Sequence, residues 1–438
     1  MKKFISIGIF GVFLAFVFVS ISCSSSPSQE GVMFWHAMGG PLGETLDQII
    51  NDFNREHPDK DPILSVHLGH YNTLSQKLMG AVAAHRPPVM SQVYGSWTSE
   101  FLEAGKIVPF SNYIGENKPI PQAVIDSMFP VFKDENTWGD SLITLPFNKS
   151  ILALYYNADL FKQYGIEKPP ETWDEFKEIA KKLTIDLDGD GTPDIYGHAF
   201  VVNVWTFETL LFQNGGRLFD ENGQPAFNSP EGVAALQYMV DLLQDGCAYL
   251  TTGYKHQDDF AAGRVAMVLG SVVSYSFMKR KITFNLGIAP VPHGKKKVYV
   301  ISGTNVALYS GKSVPESKRI RAAEFVNYFY RPDVQAYWSV NTGYMPVVKQ
   351  ALNDPQMQDF FEEVSGMKEV YDQINYAIFE PRDPVWFTGR RILSEDGLEP
   401  ALRGVMPPAE ALERAARLIS HEVKIRSHKV ARRGKRRK

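Results

Sequence analysis

The apolar residues of this chain alternate between two spacings, and this alternation limits the fold more than any other feature. Residues 32–35 form a short apolar run typical of a buried strand. From Leu46 to Phe53, apolar residues recur at helical spacing, so that one stripe runs along an otherwise polar helix. Residues 63–68 form the next predicted strand. The order strand, helix, strand predicts an α/β domain with a mostly parallel sheet.

The alternation continues along the chain, which is long enough for two domains. With 438 residues, of which 44% are apolar, it can bury more than one core. The later half is mostly helical, and no internal repeat is present. Further predicted helices cover residues 73–84, 98–104, 173–183, 205–213, 230–243 and 318–330, and further predicted strands cover 89–94, 142–147, 152–156, 266–269 and 298–309.

The first 23 residues predict export and a lipid anchor. Lys2 and Lys3 precede an apolar run over residues 4–19, and small residues then lead into Cys23. This is the order of a secretory signal peptide, and a cysteine at this point is where bacterial lipoproteins are acylated. We therefore predict a signal peptide over 1–22, lipidation of Cys23, a flexible linker over 23–30 and a periplasmic protein tethered to the membrane. The alternative is an uncleaved helical anchor, because the run is nearly long enough to span a bilayer.

Cysteine content and charge limit the function further. Only Cys23 and Cys247 are present, so an acylated Cys23 leaves no disulfide framework, and Cys247 is predicted to be a small buried apolar residue. The net charge is −3, yet residues 424–438 carry nine Lys or Arg and no acid. Such a run is typical of a solvated terminus, so we predict a basic disordered tail. Nucleic acid is not an expected partner outside the cytoplasm.

The sequence carries no enzyme motif but is rich in aromatic side chains beside small polar residues. A Gly-Xaa-Ser-Xaa-Gly elbow, a phosphate loop and a His-Glu-Xaa-Xaa-His motif are all absent. Aromatic faces beside hydroxyls and amides suit polyols, sugars and quaternary ammonium groups. The segments concerned are Tyr94-Gly95-Ser96-Trp97, Phe147-Asn148-Lys149-Ser150 and Thr342-Gly343-Tyr344.

Several short motifs occur in a fixed order: Phe34-Trp35-His36, Asp52-Phe53-Asn54, Gln92-Val93-Tyr94, Pro146-Phe147-Asn148, Leu154-Tyr155-Tyr156-Asn157, Pro169-Pro170-Glu171-Thr172-Trp173 and Thr342-Gly343-Tyr344. Together they resemble family 1 of the extracellular solute-binding proteins of ABC importers, over about residues 31–420. That resemblance implies an α/β, type II-like periplasmic-binding-protein fold with two lobes, a hinge and a ligand cleft between the lobes. It implies an N-terminal lobe of residues 31–141 and 286–340, a C-terminal lobe of 142–285 and 341–423, and a monomer.

The resemblance also implies where the ligand binds. It is closest to the glycerol-3-phosphate-binding members, and Arg382 would pair with phosphate oxygens there unless it forms a surface salt bridge with Asp383 or Glu380. Those members carry a glutamate where this chain has Gly95, so glycerophosphodiesters and phosphate-free sugars are also expected ligands. The implied contact residues are Tyr71, Ser150, Trp173, Trp205, Ser271, Gly303, Tyr344 and Arg382.

We therefore predict a non-enzymatic substrate-binding protein. It would deliver a polyol phosphate, a glycerophosphodiester or a sugar to the permease subunits of an ABC importer. One alternative is an exported carbohydrate-active enzyme, which would need two carboxylates facing each other across the cleft. The other alternative is a surface adhesin on the same scaffold.

A second site is suggested by an acidic segment that begins at Asp186. Acids at positions 1, 3, 5 and 9 and a glycine at position 6 reproduce most of an EF-hand calcium loop. Position 12 is Gly197, so a structural Ca²⁺ would need a ligand from elsewhere, and the alternative is a turn rich in Asp and Gly. No catalytic cofactor is expected. The predicted ligands are Asp186, Asp188, Asp190, Thr192 and Asp194.

Overall fold

The computed structural model describes residues 31–436, with side chains up to residue 428. The predicted signal peptide, Cys23 and the linker lie outside the described residues. The strands within them are β1 Val32–His36, β2 Ile63–His67, β3 Met90–Val93, β4 Ile107–Val108, β5 Thr137–Trp138, β6 Ser141–Leu142, β7 Leu145–Ser150, β8 Leu152–Asn157, β9 Tyr196–Val201, β10 Ala248–Thr251, β11 Val265–Ser271, β12 Leu286–Pro290, β13 Tyr299–Tyr309 and β14 Ala377–Phe379.

Helices surround these strands. The α-helices are α1 Pro41–Glu56, α2 Tyr71–Ala83, α3 Gly95–Glu103, α4 Gln122–Asp126, α5 Pro130–Glu135, α6 Ala158–Gln163, α7 Trp173–Lys182, α8 Val204–Gln213, α9 Pro230–Gln244, α10 Lys255–Ala261, α11 Ser274–Met278, α12 Glu316–Phe329, α13 Pro332–Thr342, α14 Pro355–Glu363, α15 Met367–Asp372, α16 Val385–Ile392, α17 Glu399–Leu402 and α18 Pro408–Arg436.

Twelve of these strands form two mixed sheets, one for each lobe, and β5 pairs with β6 in a small antiparallel sheet. The first has the order β14-β13-β3-β1-β2, with β4 and β7 also paired to β13. In it β1 is parallel to β2 and β3, and β13 is antiparallel to β3 and β7. The second sheet has the order β10-β9-β11-β8-β12, in which β9 is parallel to β10 and β11. The predicted α/β class and two-lobe fold match this architecture.

Helix α1 shows how the sequence builds the first lobe. Pro41 opens the helix, where its missing N–H costs nothing. The predicted stripe from Leu46 to Phe53 is buried and faces the core. Burying four such side chains removes most of their apolar surface from water, at about 1.5–3 kcal/mol for each.

The chain crosses between the lobes within very short segments. β7 belongs to the first sheet and β8 to the second, and only Ile151 separates them. β12 belongs to the second sheet, and the chain then returns to the first in β13. The predicted lobe boundaries at residues 142 and 286 thus precede the changes of sheet, which follow β7 and β12. Pairing with distant strands decides which sheet a strand joins, and that pairing is not visible in local sequence.

The basic C-terminal segment differs from its prediction. Residues 424–436 continue α18 rather than forming a disordered tail. The helix is anchored where Leu412, Ala415 and Ile419 are buried, and Arg426 forms an ion pair of 2.6 Å with Glu103 on α3. Because Ala, Lys and Arg are good helix formers, and extending an existing helix needs no new nucleation, the basic run continues the helix. Within residues 31–436, none of the helices is long and apolar enough to cross a membrane.

Candidate ligand-binding cleft

A cavity of about 620 Å³ lies where the two lobes meet. Its wall includes Gly303 on β13, the first turns of α2 and α3 in the first lobe, and residues 202–204 of the second lobe. The remaining wall comes from residues between 380 and 395, including α16. This volume accommodates a small polar ligand contacted by both lobes at once.

Strand direction explains why the cavity lies here. Since β9 is parallel to its neighbours β10 and β11, the carboxyl ends of these strands share one sheet edge. Residues 202–204 leave β9 at that edge, and Asn203 caps α8 by accepting a hydrogen bond of 2.8 Å from the Trp205 amide. In the first lobe, Tyr94 and Gly95 follow β3 in the same way. Ligands in open α/β sheets bind at such carboxyl ends.

Helix α16 closes one side of the cavity and contacts both lobes. The ring of Phe387 packs edge-on against Trp97 of α3, with centroids 5.6 Å apart. The neighbouring Trp386 packs against Phe219, which lies between α8 and α9 in the second lobe, at 5.5 Å. The aromatic side chains of α16 therefore join the two lobes while lining the space between them.

A buried amide network fixes the inner wall. The Gln92 amide donates hydrogen bonds of 3.0 Å to Asn148 Oδ1 and to Thr304 Oγ1. Asn148 Nδ2 in turn donates to the Tyr71 hydroxyl at 3.0 Å. Burial raises the pKa of Tyr71, so its phenol is neutral and available as a hydrogen-bond donor.

Gly303 is required by the backbone next to this network. Its φ is 110°, a conformation that residues with a side chain rarely adopt. A Cβ there would lie 1.9 Å from the carbonyl oxygen of Asn148. Only glycine therefore lets β13 approach β7 at this point of the cavity wall.

Three acid–base pairs contribute side chains to the cavity wall. Lys149 Nζ lies 2.7 and 2.8 Å from the two carboxylate oxygens of Glu135. Arg390 Nη1 lies 3.3 Å from Glu380, and Arg391 lies 2.6 Å from Glu395. The wall thus holds both cationic and anionic groups, each with a partner of opposite charge.

Behind this wall lies a fourth acid, Glu208 on α8. It is fully buried, and neither of its carboxylate oxygens has a hydrogen-bond partner in the described part of the chain. Burial, and secondarily the charge of Glu380, raise the pKa of Glu208 well above its ordinary value. Burial disfavours the charge of Arg390, but Glu380 and Glu208 raise its pKa. Burial and the charge of Glu380 thus both favour the neutral form of Glu208, and the two acids favour the charged form of Arg390.

The predicted contact residues are distributed unevenly around the cavity. Tyr71 and Gly303 line it, whereas the other six lie outside the lining residues. Ser150 is close, since it is the β7 partner of Ser302, which lines the cavity. Ser271 ends β11, and its hydroxyl accepts a hydrogen bond of 3.2 Å from the Val273 amide.

Trp173 and Trp205 have core positions in this structure. The Trp173 indole donates to the Gln213 side chain, and its ring contacts Tyr238 and Phe176 with centroid separations of 5.6 Å. The indole of Trp205 donates to the Val300 carbonyl at 2.7 Å, and the residue is only 8% exposed. The Trp173 ring thus packs within the second lobe, and the Trp205 indole is bound to β13.

Tyr344 and Arg382 are likewise engaged by the protein. Tyr344 stacks on Trp338, with ring centroids 5.5 Å apart and an angle of 6°. Arg382 donates to the carbonyls of Asp134, Glu135 and Thr137, and its guanidinium lies 4.5 Å from the centre of the Trp138 ring. Glu380 pairs with Arg390 instead, so the alternative of an Arg382–Glu380 salt bridge does not hold here.

Gly95 is explained by the position of Arg382. A Cβ at residue 95 would lie 3.0 Å from Arg382 Cγ, so the missing side chain makes room for the arginine. The sequence reasoning missed the cationic groups of the cavity, Arg390 and Arg391. Two adjacent arginines that follow an aromatic pair, Trp386 and Phe387, were the available signal, but adjacent arginines are common on surfaces.

The predicted calcium ligands converge only in part. One carboxylate oxygen each from Asp186, Asp188 and Asp194 lie within 4.8 Å of one another. Asp190 lies outside this group and accepts a hydrogen bond of 2.7 Å from the Thr192 amide, and the three grouped acids likewise accept hydrogen bonds from backbone amides of the loop. Three oxygen ligands suit Ca²⁺, which takes six to eight and completes its shell with carbonyls and water. Calcium binding by this exposed loop stays a prediction.

Comparison with known proteins decides the family. A profile of bacterial extracellular solute-binding proteins matches residues 39–336, more than half of the chain. The chain belongs to this family. The solute-binding protein is therefore not an enzyme, and its place is extracytoplasmic, in the periplasm.

Relatives of this solute-binding protein include proteins that are named for binding sn-glycerol-3-phosphate. The Yersinia pestis sn-glycerol-3-phosphate-binding periplasmic protein UgpB is 28% identical over 352 residues, covering 76% of this chain and 78% of the relative. UgpB of Escherichia coli K12 is 26% identical over 416 residues, covering 88% and 90%. The predicted resemblance to the glycerol-3-phosphate-binding proteins is thus confirmed.

Solved structures share the two-lobe fold. UgpB from Mycobacterium tuberculosis in complex with glycerophosphocholine aligns with a TM-score of 0.77 at 20% identity, over 90% of this chain and 99% of that one. The cyclic alpha-maltosyl-1,6-maltose binding protein from Arthrobacter globiformis aligns with a TM-score of 0.74 at 21% identity, over 89% and 97%. At these identities the likeness establishes the fold alone.

Proposed function

We propose that this protein is the substrate-binding component of an ABC importer that captures a glycerophosphodiester or another phosphorylated polyol. The observation that carries the proposal is the pair of cations, Arg390 and Arg391, in the wall of the cavity between the lobes. Guanidinium groups match phosphate oxygens by paired, charge-assisted hydrogen bonds. A phosphate-free sugar gains less from such groups, because they must leave water or their acidic partners to reach it.

The other wall residues favour a ligand that also carries a cation. Tyr94, Trp386 and Phe387 bring aromatic rings to the cavity, and Glu380 and Glu395 bring carboxylates. Aromatic faces beside acids suit a trimethylammonium group. Glycerophosphocholine combines both charges and is therefore the first ligand to test, followed by glycerol-3-phosphate and sugars. The names of the relatives, which bind glycerol-3-phosphate, support the same class.

We further propose that Cys23 is acylated and that the protein acts as a monomer. A tether holds the binding protein near its permease and so raises the local concentration for delivery of the ligand. Ligand would favour the closed arrangement through contacts made to both lobes at once. The lipid anchor is supported by the N-terminal sequence, and the monomer is supported by the family resemblance.

The test is a calorimetric titration against four ligands: glycerophosphocholine, glycerol-3-phosphate, maltose and trehalose. We expect binding of the phosphorylated ligands. Arg391→Gln should weaken it at least about tenfold, because hydrogen bonds to charged groups contribute about 1.5–3 kcal/mol. Arg280→Gln is the control, since Arg280 is an exposed arginine outside the cavity lining.

Each outcome has a definite meaning. If only a sugar binds tightly, the proposed ligand class is wrong and the protein binds a carbohydrate. Four flat titrations would reject the importer function and leave the adhesin alternative. Turnover of any ligand would contradict the assignment of the chain to non-enzymatic proteins.

A further inference from the structure

The most exposed tyrosine of the described residues lies close to the cavity. Tyr254 is 75% exposed, whereas the next most exposed tyrosine, Tyr376, is 55% exposed. Within residues 31–428, the phenol of Tyr254 makes no hydrogen bond to another residue. Exposing a large aromatic ring leaves apolar surface in water, so the fold gains little from this side chain.

Sheet register places Tyr254 at the edge of the cleft. β10 ends at Thr251, which pairs with Val201 at the end of the parallel strand β9. Residues 202–204, immediately after β9, line the cavity. Since Tyr254 follows the end of β10 by three residues, it leaves the sheet at the same edge, one strand farther from the centre of the cavity.

The turn that carries Tyr254 is firmly held. Gly253 has a φ of 59°, and the amides of Gln257 and Asp258 donate to the Tyr254 carbonyl at 3.0 and 3.2 Å. The following helix, α10, is anchored by Asp259, which is 1% exposed and accepts hydrogen bonds from Lys255, Arg264 and Tyr249. The exposure of the Tyr254 ring therefore results from a fixed backbone.

On the other side of the cavity, the first lobe contributes Tyr71 to the wall. The pKa of Tyr71 is raised mainly by burial, and the charge of an ionised Tyr254 contributes to the same shift. Tyr71 lines the cavity at the start of α2 in the first lobe, whereas Tyr254 follows β10 in the second lobe.

We propose that Tyr254 is a ligand-contacting residue that determines specificity and covers the part of the ligand projecting from the cavity. The inference rests on the proposed function. In a glycerophosphodiester, the projecting part is the alcohol substituent of the phosphate, and with choline this is a trimethylammonium group. The ring face of Tyr254 stacks on that group, while Tyr71 contacts the ligand from the other lobe.

The experiment compares two ligands that differ by this substituent. Tyr254→Ala is expected to weaken glycerophosphocholine binding roughly 3- to 30-fold, the range of a cation–π contact between exposed and desolvated sites. Binding of glycerol-3-phosphate, which lacks the substituent, should change less than about twofold. Tyr254→Phe keeps the ring and should bind like the wild type.

Tyr376→Ala is the matched control, because Tyr376 is also exposed but lines a groove away from the cleft. If the wild type binds glycerophosphocholine and Tyr254→Ala binds it equally well, the proposal fails while the proposed function stands. Equal weakening of both ligands would also refute the assignment to the substituent. If the wild type binds neither ligand, the proposed function and this inference fail together. Tyr254→Gln repeats the test should the alanine variant unfold, as judged by thermal melting.

Discussion

Removing the ammonium group of Lys149 should destabilise the protein strongly. Lys149 is fully buried, and its Nζ contacts both oxygens of Glu135, whose side chain is 11% exposed. Burial lowers the pKa of Lys149, and the charge of Glu135 opposes that shift. Lys149→Met preserves the volume, but within residues 31–428 it leaves the carboxylate with the Asn305 amide, at 3.3 Å, as its only hydrogen-bond donor.

The expected loss is about 3–5 kcal/mol in the free energy of unfolding, the cost of leaving one charge of a buried pair without its partner. The double variant Lys149→Met, Glu135→Gln should recover most of the loss, since it buries no charge.

Unfolding by guanidinium chloride measures these free energies for the wild type, Lys149→Met, Glu135→Gln and the double variant, which together form a double-mutant cycle. Lys168→Met is the matched control, because Lys168 and Glu171 form an exposed ion pair with side chains 65% and 64% exposed, and such pairs contribute little. A loss in Lys149→Met below about 1 kcal/mol, or no recovery in the double variant, would show that Glu135 is not desolvated and would refute the reasoning.

Three further predictions follow from separate parts of the chain. The raised pKa of Glu208 means that the native state retains a proton that the unfolded state releases above about pH 4.3. The free energy of unfolding of the wild type should therefore fall by up to about 1.4 kcal/mol per pH unit as the pH rises. Glu208→Gln should remove this pH dependence, which urea unfolding at pH 5 and pH 7 would detect. If the acidic loop binds Ca²⁺, millimolar Ca²⁺ should raise the melting temperature of the wild type but not of Asp188→Asn, and equal melting with Ca²⁺ and with EDTA would reject the site. Cys23→Ser should move the protein from the membrane fraction to the soluble periplasmic fraction with unchanged ligand affinity, and persistent membrane attachment would favour the uncleaved anchor.

Much of the fold was predictable because local signals agree with the final packing. The predicted helix over 173–183 is observed as Trp173–Lys182, because Thr172 and Glu175 form a capping box that fixes its start. The predicted strand over 298–309 is observed as Tyr299–Tyr309. The strand predicted over 142–147 is observed at Leu145–Ser150, since pairing with β13 sets its position. Helix propagation from a buried anchor explains the missed helix in the basic segment.

The site was predictable only where backbone geometry decides it. Gly303 and Tyr71 line the cavity, the first because a side chain would strike the Asn148 carbonyl and the second because it begins a helix at a strand edge. Trp173 and Trp205 were implied by the family resemblance, and in this structure their indoles pack in the core. Ligand contact by these residues stays a prediction. The identity of a residue does not tell which face of its element meets the cleft.

The sequence does not predict how the charged side chains of the cleft pair, because the partners are distant in the chain. Arg390 contacts Glu380 ten residues away, and Glu208 joins them from a different helix in the second lobe. A ligand phosphate that reaches Arg390 must share or replace Glu380 as its partner, so its affinity is the difference between two pairings. Burial favours the neutral form of Glu208, and a neutral Glu208 adds no second charge that competes with a ligand phosphate for Arg390. Under the proposed function, the affinity for an anionic ligand therefore depends on the protonation of Glu208 as well as on the two arginines.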